Sequence, residues 1–255
     1  MIHQLKNILL GANAAAVIRG LRFGPGDFYR CCRLNLAASH PREDRLLAAL
    51  PQINSTDITA GREFPIRLVI DQYLDGTLPS YQAFILVSLL AMEQPREALE
   101  IGTFMGHTSK LMAENLEHSI IHTVDLPLDY SLNEEGSTDV SKDDFHLIRN
   151  RQVGREFRNT PLASRIVQHY ADTMTWDFTG VGNPTFFFID GSHTYEACLN
   201  DSEKCHALCG GKGTFLWHDC DSHHPGVLRA LGKWRALGRN VVRIRGTPFG
   251  YWKGE

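Results

Sequence analysis

The stretch Glu100-Ile101-Gly102-Thr103-Phe104-Met105-Gly106 decides the fold of this chain. It follows a short apolar run at residues 98–99 and leads into a helical pattern over residues 108–116. A strand, a glycine turn and a helix start in this order form the repeating unit of a parallel α/β sheet. Gly102 and Gly106 carry no Cβ, so the main chain of the turn can approach a ligand closely. The helix that follows adds free N–H groups and a partial positive charge.

Glu100 indicates the chemistry of that ligand. An acidic side chain just before the turn disfavours a phosphate and favours a cationic or hydroxyl-rich molecule. S-adenosylmethionine has an amino group, a sulfonium and ribose hydroxyls, so it fits this description. Thr103 and Gly106 are the other turn residues expected to contact the cofactor. Taken alone, the pattern E-x-G-x-x-x-G is also compatible with an ordinary βα turn.

Asp125 ends a second apolar strand, which is predicted over residues 120–124. In a doubly wound sheet, an acid at this position accepts hydrogen bonds from ribose hydroxyls. A nicotinamide enzyme also places an acid there, but its first turn reads G-x-G-x-x-G. Here Thr103 and Phe104 follow Gly102, and no glycine stands two residues on. The sequence therefore favours S-adenosylmethionine over NAD.

Strands and helices alternate along most of the chain, which predicts a doubly wound, mostly parallel α/β sheet with a C-terminal antiparallel hairpin. The predicted strands cover residues 98–101, 120–124, 165–169, 185–189 and 214–217, and the hairpin covers residues 241–252. The predicted helices cover residues 81–92, 108–116, 195–208 and 225–236, with a further segment within 143–157 and a turn at 173–178. Residues 79–255 are predicted to form the ligand-binding domain.

Two parts of the chain are predicted to lie outside the regular sheet. Residues 1–78 are interpreted as a helical N-terminal extension with helices at 6–21 and 43–50 and a polar loop at 52–61. Residues 126–161 separate the second and third strands and are polar and acidic. A connection of this length is usually functional or disordered, so it is either a substrate lid or a surface insertion.

Ligands bind at the carboxyl edge of a parallel sheet, so the residues that follow each strand form the candidate site. Asp172 and Thr173 follow the third predicted strand. There Asp172 is expected to accept a hydrogen bond from the adenine amino group. Asp190 follows the fourth strand and is expected to contact both cofactor and substrate.

Asp190, His218 and Asp219 form a predicted divalent-cation site. The fourth and fifth strands are neighbours in such a sheet, so the two aspartates are expected to approach each other. Oxygen ligands suit Mg²⁺, which would hold the acceptor hydroxyl and lower its pKa. His193 is expected to take the proton as a general base. The alternatives are an ordinary turn at Asp190 and a locally hydrogen-bonded His218.

Three further polar residues near these strand ends are interpreted as outside the site. His223 and His224 are interpreted as residues of a solvated loop. Asp201 lies well inside the helix that follows His193, away from the strand end, and is interpreted as a structural residue.

The motifs together resemble the class I S-adenosylmethionine-dependent methyltransferases. More narrowly, they resemble the methyltransferase family 24 branch, whose relatives include macrocin-type sugar O-methyltransferases and cephalosporin-hydroxylase-like proteins. Two runs carry most of the resemblance beyond the glycine turn, Phe187-Phe188-Ile189-Asp190-Gly191-Ser192-His193-Thr194-Tyr195 and Leu216-Trp217-His218-Asp219. Residues 153–157 and 225–227 are also similar, and the likeness extends over about residues 97–250.

The resemblance implies a seven-stranded sheet and cofactor contacts at Glu100, Gly102, Gly106 and Asp125. In metal-dependent relatives, acidic residues that end the fourth and fifth strands hold Mg²⁺; the matching positions here are Asp190, His218 and Asp219. The chain departs from the family at two of its site positions. His218 stands where some relatives carry a carboxylate, and Cys220 where others carry an acid or amide. One metal ligand is therefore either missing or supplied by Asp221.

The amino-acid composition limits the classes of protein to which this chain can belong. The chain has 255 residues, of which 43% are hydrophobic and 22% are charged, with a net charge of −3, as in ordinary globular proteins. Lysine and arginine are scattered, which disfavours a nucleic-acid surface. No apolar stretch reaches the roughly 18 residues that a membrane span needs. The N-terminus makes a poor signal peptide, so a cytoplasmic location is expected.

The six cysteines form no C-x-x-C pair, so reduced thiols are expected. Cys198, Cys205 and Cys209 fall at helical spacing and are interpreted as small buried residues on one face. A zinc site would need paired spacing that this sequence lacks.

The sequence thus predicts an S-adenosylmethionine-dependent methyltransferase that acts on a hydroxyl of a small molecule. A sugar or a glycosylated natural product as the acceptor is implied by the relatives alone. Two alternatives stay open: an inert S-adenosylmethionine-binding or scaffold protein and, less favoured, a nicotinamide-dependent oxidoreductase. The expected partner is a hydroxylated small molecule, with no nucleic acid and no membrane, and a homo-oligomer is compatible with the sequence.

Overall fold

The computed structural model describes residues 41–68, 77–130, 148–149 and 151–254. Its strands are β1 Gln52–Ile53, β2 Glu97–Ile101, β3 Ile120–Asp125, β4 Ile166–Tyr170, β5 Phe186–Ile189, β6 Thr214–Trp217, β7 Val242–Ile244 and β8 Gly250–Lys253. Its helices are α1 Pro41–Ala48, α2 Ser55–Thr59, α3 Ser80–Glu93, α4 His107–Asn115, α5 Arg155–Arg158, α6 Tyr195–Leu208 and α7 Pro225–Ala236. A short 3₁₀ helix covers Pro161–Arg165.

The eight described strands join one sheet in the order β1-β7-β8-β6-β5-β2-β3-β4. Strand β8 runs antiparallel to both of its neighbours, and the other pairings are parallel. The chain places β3 and β4 on one side of β2 and then returns to place β5 on the other side. This reversal is the topological switch point, where open α/β sheets bind their ligands. The predicted mostly parallel sheet with a C-terminal antiparallel hairpin is confirmed, and β7 and β8 form the hairpin.

The central strands are buried on both faces, which explains why their sequences are continuously apolar. In β5, Phe187 packs with Phe215 and Trp217 in the core on one face of the sheet. Its neighbours Phe186 and Phe188 belong to the core on the other face. Each buried aromatic side chain contributes roughly 2–3 kcal/mol by leaving water. The burial fixes the register of β5, and with it the position of the residue that follows the strand.

Local signals place the helices that flank the site. The Thr194 hydroxyl accepts a hydrogen bond from the Ala197 N–H at 3.3 Å and so caps the first turn of α6. Helix α7 begins at Pro225, where the missing N–H is one that the helix leaves unpaired anyway. The helices predicted at residues 195–208 and 225–236 are confirmed with the same bounds.

The described part of the N-terminal extension corrects one prediction. Residues 52–61, predicted as a loop, contain β1 and α2. The Arg243 N–H donates to Pro51 O at 2.7 Å, and the Arg245 N–H donates to Ile53 O at 2.9 Å. Strand β1 therefore forms through its partner β7 rather than through its own composition. With β1 the sheet has eight strands instead of the seven that the resemblance implies.

Residues Arg45–Glu255 form one compact unit. The predicted division of the chain into residues 1–78 and 79–255 stays a prediction, and the helix predicted at 6–21 lies outside the described residues. Cys198 and Cys205 are buried as predicted, and Cys209 is partly exposed. In the part of the chain that the structure describes, no helix has both the length and the apolar character of a membrane span.

Candidate active site

The carboxyl ends of β5 and β6 carry the candidate catalytic side chains. The His218 N–H donates to Ile189 O at 3.0 Å, which extends the pairing of the two strands past their last residues. The Asp190 N–H likewise donates to Ile101 O at 2.9 Å. Ligand atoms of Asp190, His218 and Asp219 then lie within 4.8 Å of one another. The structure brings together the three residues that the sequence predicted to meet.

Asp219 lies at the centre of a cluster of imidazoles. Its Oδ2 lies 2.7 Å from His193 Nε2 and 2.9 Å from His218 Nδ1. Its Oδ1 lies 3.4 Å from His224 Nδ1. His218 Nδ1 also lies 3.3 Å from Asp190 Oδ1, so one imidazole bridges the two carboxylates. The φ of Asp219 is 55°, a left-handed conformation that is uncommon for non-glycine residues but that aspartate tolerates better than most.

Ion pairing outweighs burial in setting the protonation states of this cluster. Burial alone would lower the pKa of His218, but the carboxylates of Asp190 and Asp219 hold that pKa well above its usual value. Burial alone would raise the pKa of Asp219, but His218 and the hydrogen bond from His193 hold it well below its usual value. At neutral pH His218 is therefore protonated and Asp219 is ionised, so His193 Nε2 donates its proton to Asp219 Oδ2.

Gln82, which belongs to none of the sequence motifs, fixes the His218 ring. It lies on α3 and is 4% exposed. Its Oε1 lies 2.8 Å from His218 Nε2, and its own Nε2 donates to the Tyr81 hydroxyl at 3.0 Å. The amide carbonyl therefore faces His218, whose Nε2–H donates to it, and His218 Nδ1 faces the carboxylates. The sequence signal that could have identified Gln82 is its place as a polar residue in a largely apolar helix.

The interpretation of His223 and His224 as a solvated pair is wrong for His224. The His224 ring centroid lies 4.4 Å from that of His193, and its Nδ1 lies 2.9 Å from Asp221 Oδ1. The His223 main-chain N–H donates to the same oxygen at 2.9 Å. Asp221 is thus engaged by the two histidines. Cys220 is buried in the core, and burial raises the pKa of its thiol to about 12.

The first glycine of the turn is required by packing between strands rather than by ligand approach alone. A Cβ on Gly102 would lie 2.1 Å from Asp190 O and 3.2 Å from Gly191 N. Its φ is +99°, which also favours glycine. The sequence alone explained this glycine by the approach of the cofactor. The structure shows that the turn already touches the main chain that follows β5.

Gly106, the second glycine of the turn, packs against the C-terminal end of the long connection between β3 and β4. A Cβ on Gly106 would lie 2.6 Å from the Phe157 ring. The Gly154 N–H donates to Phe104 O at 3.0 Å, and the Glu156 N–H donates to Met105 O at 3.0 Å. The C-terminal end of the connection is therefore docked on the glycine turn. Residues 131–147 and 150 lie outside the described residues, so the choice between lid and insertion stays open for them.

Glu100 is buried beneath the turn. Its Oε2 accepts hydrogen bonds from the Ser109 hydroxyl and from the Thr123 hydroxyl, the latter at 2.6 Å. Among the described residues, no group donates to its Oε1. Burial raises the pKa of Glu100 to about 8, and the two hydroxyl hydrogen bonds only partly offset that effect. A buried carboxyl oxygen without a donor is costly, so it suits a cationic ligand group.

Asp125 is held at the end of β3 by two donors. Its Oδ2 accepts from the Phe104 N–H at 2.8 Å, and its Oδ1 lies 3.2 Å from Arg151 Nε. Burial raises the pKa of Asp125, while these two partners lower it. Arg151, which also belongs to none of the sequence motifs, donates to Leu126 O and Pro127 O at 3.2 and 2.7 Å. The predicted ribose acceptor is therefore tied to the loop that follows it.

Thr103 points into the sheet rather than toward its edge. Its hydroxyl lies 2.7 Å from the Thr123 hydroxyl and accepts from Gln168 Nε2 at 2.9 Å. The side chain is buried. A contact of Thr103 with the cofactor, which stays a prediction, would have to use its main chain.

The loop after β4 is fixed by α6. Lys204 Nζ donates to Thr173 O at 2.6 Å and to Trp176 O at 2.7 Å, and Asn200 Nδ2 donates to Thr173 O at 3.0 Å. Asp172 Oδ1 accepts from the Met174 N–H at 2.9 Å, which forms a tight turn. The predicted adenine contacts of Asp172 and Thr173 stay predictions, on a loop whose position the helix determines.

The residues around the switch point fit S-adenosylmethionine. In the described part of the chain nothing donates to the buried Glu100 Oε1 near the glycine turn, and this oxygen suits the amino group of the cofactor. Asp125 ends the neighbouring strand, where ribose hydroxyls bind in such sheets. Glu100 lies in β2, and Asp125 ends β3, which pairs with β2 on the side opposite β5, so both residues lie at the switch point.

The donor set at Asp190, His218 and Asp219 does not fit Mg²⁺. Magnesium demands near-ideal octahedral oxygen coordination and is reluctant to lose its water. Here one of the three donor atoms is the Nδ1 of an imidazole, and Gln82 holds that ring in place. Among the described residues that follow Asp219, Cys220 is buried in the core and Asp221 is engaged by His223 and His224, so neither supplies a further oxygen to this set.

Comparisons with known proteins agree with this architecture. Residues 99–220 match a family model described as a methyltransferase domain. The solved O-methyltransferase NovP is 17% identical, with 66% of this chain and 76% of that chain covered, and a TM-score of 0.50. The O-methyltransferase from Bacillus cereus in complex with SAH is 14% identical, covers 88% of this chain and 94% of that chain, and has a TM-score of 0.48.

A third solved structure is the O-methyltransferase TomG from Streptomyces achromogenes, involved in tomaymycin synthesis and in complex with SAM. It is 14% identical, covers 92% of this chain and 99% of that chain, and has a TM-score of 0.48. The likeness to NovP shows the fold alone, and no argument is based on the two structures with TM-scores of 0.48. A comparison with curated protein sequences gave no significant match. The resemblance to the methyltransferase family that the motifs indicated is confirmed over residues 99–220.

Proposed function

We propose, from the membership of residues 99–220 in the class I S-adenosylmethionine-dependent methyltransferases, that this protein transfers a methyl group to a hydroxyl of a small molecule. The observation that carries the proposal is the His193–Asp219 pair, joined at 2.7 Å at the carboxyl edge of the sheet. The pair lies where an acceptor would meet a cofactor bound over the glycine turn. NovP, whose fold is similar, is an O-methyltransferase, which supports oxygen as the acceptor atom.

The cofactor would be held by residues at three strand ends. Glu100 receives the amino group at its buried oxygen, and Asp125 accepts from the ribose hydroxyls. Asp172 and Thr173 border the adenine, on the loop that Lys204 holds in place. Gly102 and Gly106 shape the turn beneath the methionine part. Each assignment agrees with the position of the residue, and titration of the corresponding variants with S-adenosylhomocysteine tests it.

The chain's own residues supply the base. When bound, the cofactor presents an electrophilic methyl group on a sulfonium; the acceptor oxygen forms the new bond to carbon as the carbon–sulfur bond breaks. The His193 imidazole takes the hydroxyl proton, and the ionised Asp219 stabilises the imidazolium that forms. Asp219 also orients the ring through its hydrogen bond to Nε2. General-base help of this kind typically contributes about 10²–10⁴-fold in rate.

The two carboxylates keep the acceptor region negatively charged against one imidazolium, His218. This negative charge opposes spontaneous ionisation of the acceptor hydroxyl. Its proton must therefore be taken by a neighbouring base, which is His193. The proposed transfer uses no step on Mg²⁺, because the donor set does not match that ion. A sugar or glycosylated natural product is the proposed acceptor class, on the strength of the relatives that the motifs resemble.

The test is calorimetric titration of the purified protein with S-adenosylhomocysteine, followed by an assay for its release from S-adenosylmethionine with a panel of hydroxylated acceptors. Micromolar binding together with turnover supports the proposal. Binding without turnover on any acceptor, unchanged in His193→Ala, would favour the inert cofactor-binding protein. Failure to bind S-adenosylhomocysteine, with binding of NADH instead, would overturn the proposal in favour of a nicotinamide enzyme.

A further inference from the structure

We propose that Asp190, His218 and Asp219 bind a first-row transition-metal dication, such as Co²⁺ or Zn²⁺, in preference to Mg²⁺. The site is formed by the residues that end β5 and β6, and it binds the ion whether or not the protein transfers a methyl group. The proposal therefore goes beyond the proposed function and can fail or succeed independently of it.

The spacing of the donor atoms fits one metal ion. His218 Nδ1 lies 2.9 Å from Asp219 Oδ2 and 3.3 Å from Asp190 Oδ1. Two ligands bonded to one ion at about 2.0–2.2 Å lie roughly 3.0–3.5 Å apart when the angle between them is tetrahedral or octahedral. The two distances from His218 Nδ1 are already close to this separation, and ligand atoms of all three residues lie within 4.8 Å of one another.

An outer hydrogen bond orients His218 as a metal ligand, and binding of the ion would displace the proton that Nδ1 carries in the metal-free protein. Metal-bound histidines almost always donate their second N–H to a carbonyl or carboxylate, which fixes the ring and raises the basicity of the bound nitrogen. Gln82 Oε1 accepts from His218 Nε2 at 2.8 Å, and Tyr81 holds the amide in that orientation. His218 Nδ1 is thereby directed at the two carboxylates.

The chemistry of the donors selects the metal. Two carboxylates neutralise a dication, and one imidazole nitrogen adds a ligand that suits Zn²⁺, Fe²⁺, Ni²⁺ or Co²⁺ far better than Mg²⁺. His193 Nε2 and His224 Nδ1 lie against the two oxygens of Asp219 and orient that carboxylate. A transition metal tolerates such nitrogen-rich surroundings.

A second triad shares Asp219 with this site. His193, Asp219 and His224 also offer three ligand atoms within 4.8 Å of one another. However, His224 Nδ1 is closer to Asp221 Oδ1, at 2.9 Å, than to Asp219 Oδ1, at 3.4 Å. His218 has Gln82 on its other ring nitrogen, and both carboxylates that its Nδ1 faces belong to the triad, whereas the nearer partner of His224 Nδ1 is Asp221, which lies outside the second triad. The triad with His218 is therefore the better-prepared site.

The experiment follows Co²⁺ by its visible absorption in the full-length protein, first freed of metals with a chelator. The expected result is one Co²⁺ per chain, displaced by equimolar Zn²⁺ and retained in a thousandfold excess of Mg²⁺. His218→Asp restores an all-oxygen donor set, so it is expected to weaken Co²⁺ binding by about tenfold or more and to narrow its preference over Mg²⁺. Circular dichroism checks that each variant is folded.

Two further variants separate the sites. Gln82→Met removes the outer hydrogen bond and is expected to weaken Co²⁺ binding about 10- to 100-fold. His224→Asn removes only an outer contact of Asp219 at 3.4 Å and is expected to weaken Co²⁺ binding far less than Gln82→Met does. Absence of stoichiometric Co²⁺ binding by the folded protein would overturn the proposal and leave His218 as the cation that pairs the carboxylates. Loss of binding in His224→Asn with retention in His218→Asp would move the ion to the second triad and overturn it as well.

Discussion

A Cβ placed on Gly102 would lie 2.1 Å from the carbonyl oxygen of Asp190. The first glycine of the cofactor turn therefore packs against the main chain that carries a candidate catalytic carboxylate. Strands β2 and β5 are neighbours, and this contact is made at their carboxyl ends. Because a single contact sets the distance between the turn and Asp190, a larger residue at position 102 moves both parts of the site together.

Gly102→Ala is expected to lower the free energy of unfolding by about 2–4 kcal/mol, through a clash with main-chain atoms and an unfavourable positive φ. The matched control is Gly232→Ala in α7, where a Cβ would meet nothing within 4 Å. There alanine is expected to stabilise the helix by about 0.5–1 kcal/mol. Urea denaturation measures both, and equal stabilities for wild type and Gly102→Ala would contradict the packing argument.

Glu100 is expected to make stability depend on pH in an unusual direction. The folded protein ionises Glu100 with a pKa of about 8, whereas its ordinary pKa is 4.5. Between these values the folded protein keeps a proton that the unfolded chain has lost, so this group's contribution to stability falls as pH rises, by about 1.4 kcal/mol for each step of one in pH. Glu100→Gln lacks that dependence.

The measurement is the difference in unfolding free energy between wild type and Glu100→Gln at several pH values from 5 to 8. The unfolding free energy of wild type is expected to fall steadily relative to that of Glu100→Gln as pH rises. The buried amide of the variant adds a difference that does not depend on pH. A difference that stays flat over this range would show that Glu100 ionises in the folded protein near its ordinary value.

Arg151→Met is expected to make cofactor affinity more sensitive to acid. Burial raises the pKa of Asp125, and Arg151 offsets part of that rise. Without the guanidinium the pKa rises further, and a protonated Asp125 is a poorer acceptor for ribose hydroxyls. Below the new pKa, affinity for S-adenosylhomocysteine is expected to fall by up to about tenfold for each further drop of one in pH.

Calorimetry at pH 6 and pH 8 measures this effect. In Arg151→Met combined with Asp125→Asn, affinity is expected to be weak at both values and independent of pH. If the single variant kept the wild-type ratio of affinities between the two pH values, Asp125 would not be the group that titrates.

His193→Ala is expected to lower kcat by about 10²–10⁴-fold while leaving the Kd for S-adenosylhomocysteine within about twofold. The reason is that the imidazole acts on the acceptor proton and not on the cofactor. The exposed His118, between α4 and β3, provides the matched control, and His118→Ala is expected to change neither quantity. A parallel loss of kcat and cofactor affinity would place His193 in the cofactor pocket or in the fold.

Sequence patterns predicted the central sheet because its strands are buried on both faces. Strand β6 and helix α6 were predicted with the same bounds that the structure gives, Thr214–Trp217 and Tyr195–Leu208. Strand β1 could not be predicted, since two residues carry no periodicity and its hydrogen bonds come from β7. The local sequence of an element shows its own periodicity and propensity, but not the hydrogen bonds that a distant strand supplies.

The residues of the candidate site likewise divide into those that the local sequence predicts and those that it does not. Asp190 and Asp219 were predictable because each closely follows an apolar strand. Gln82 was not, because it reaches His218 from a helix 136 residues earlier in the chain. His224 was misjudged because adjacent histidines near a proline are typical of a solvated loop. Its contact with His193 depends on how α7 begins, which the residues alone do not specify.

The pairing of β1 with β7 has a consequence for biosynthesis. Gln52 pairs with Arg243 and Ile53 pairs with Ile244, so the edge of the sheet joins two segments that lie about 190 residues apart in the chain. A ribosome adds roughly 5–20 residues per second, so residues 52–53 wait on the order of ten seconds or more for their partner. Closing so long a loop comes late in folding, and the edge strand of the nascent protein stays unpaired until the residues of β7 have been made.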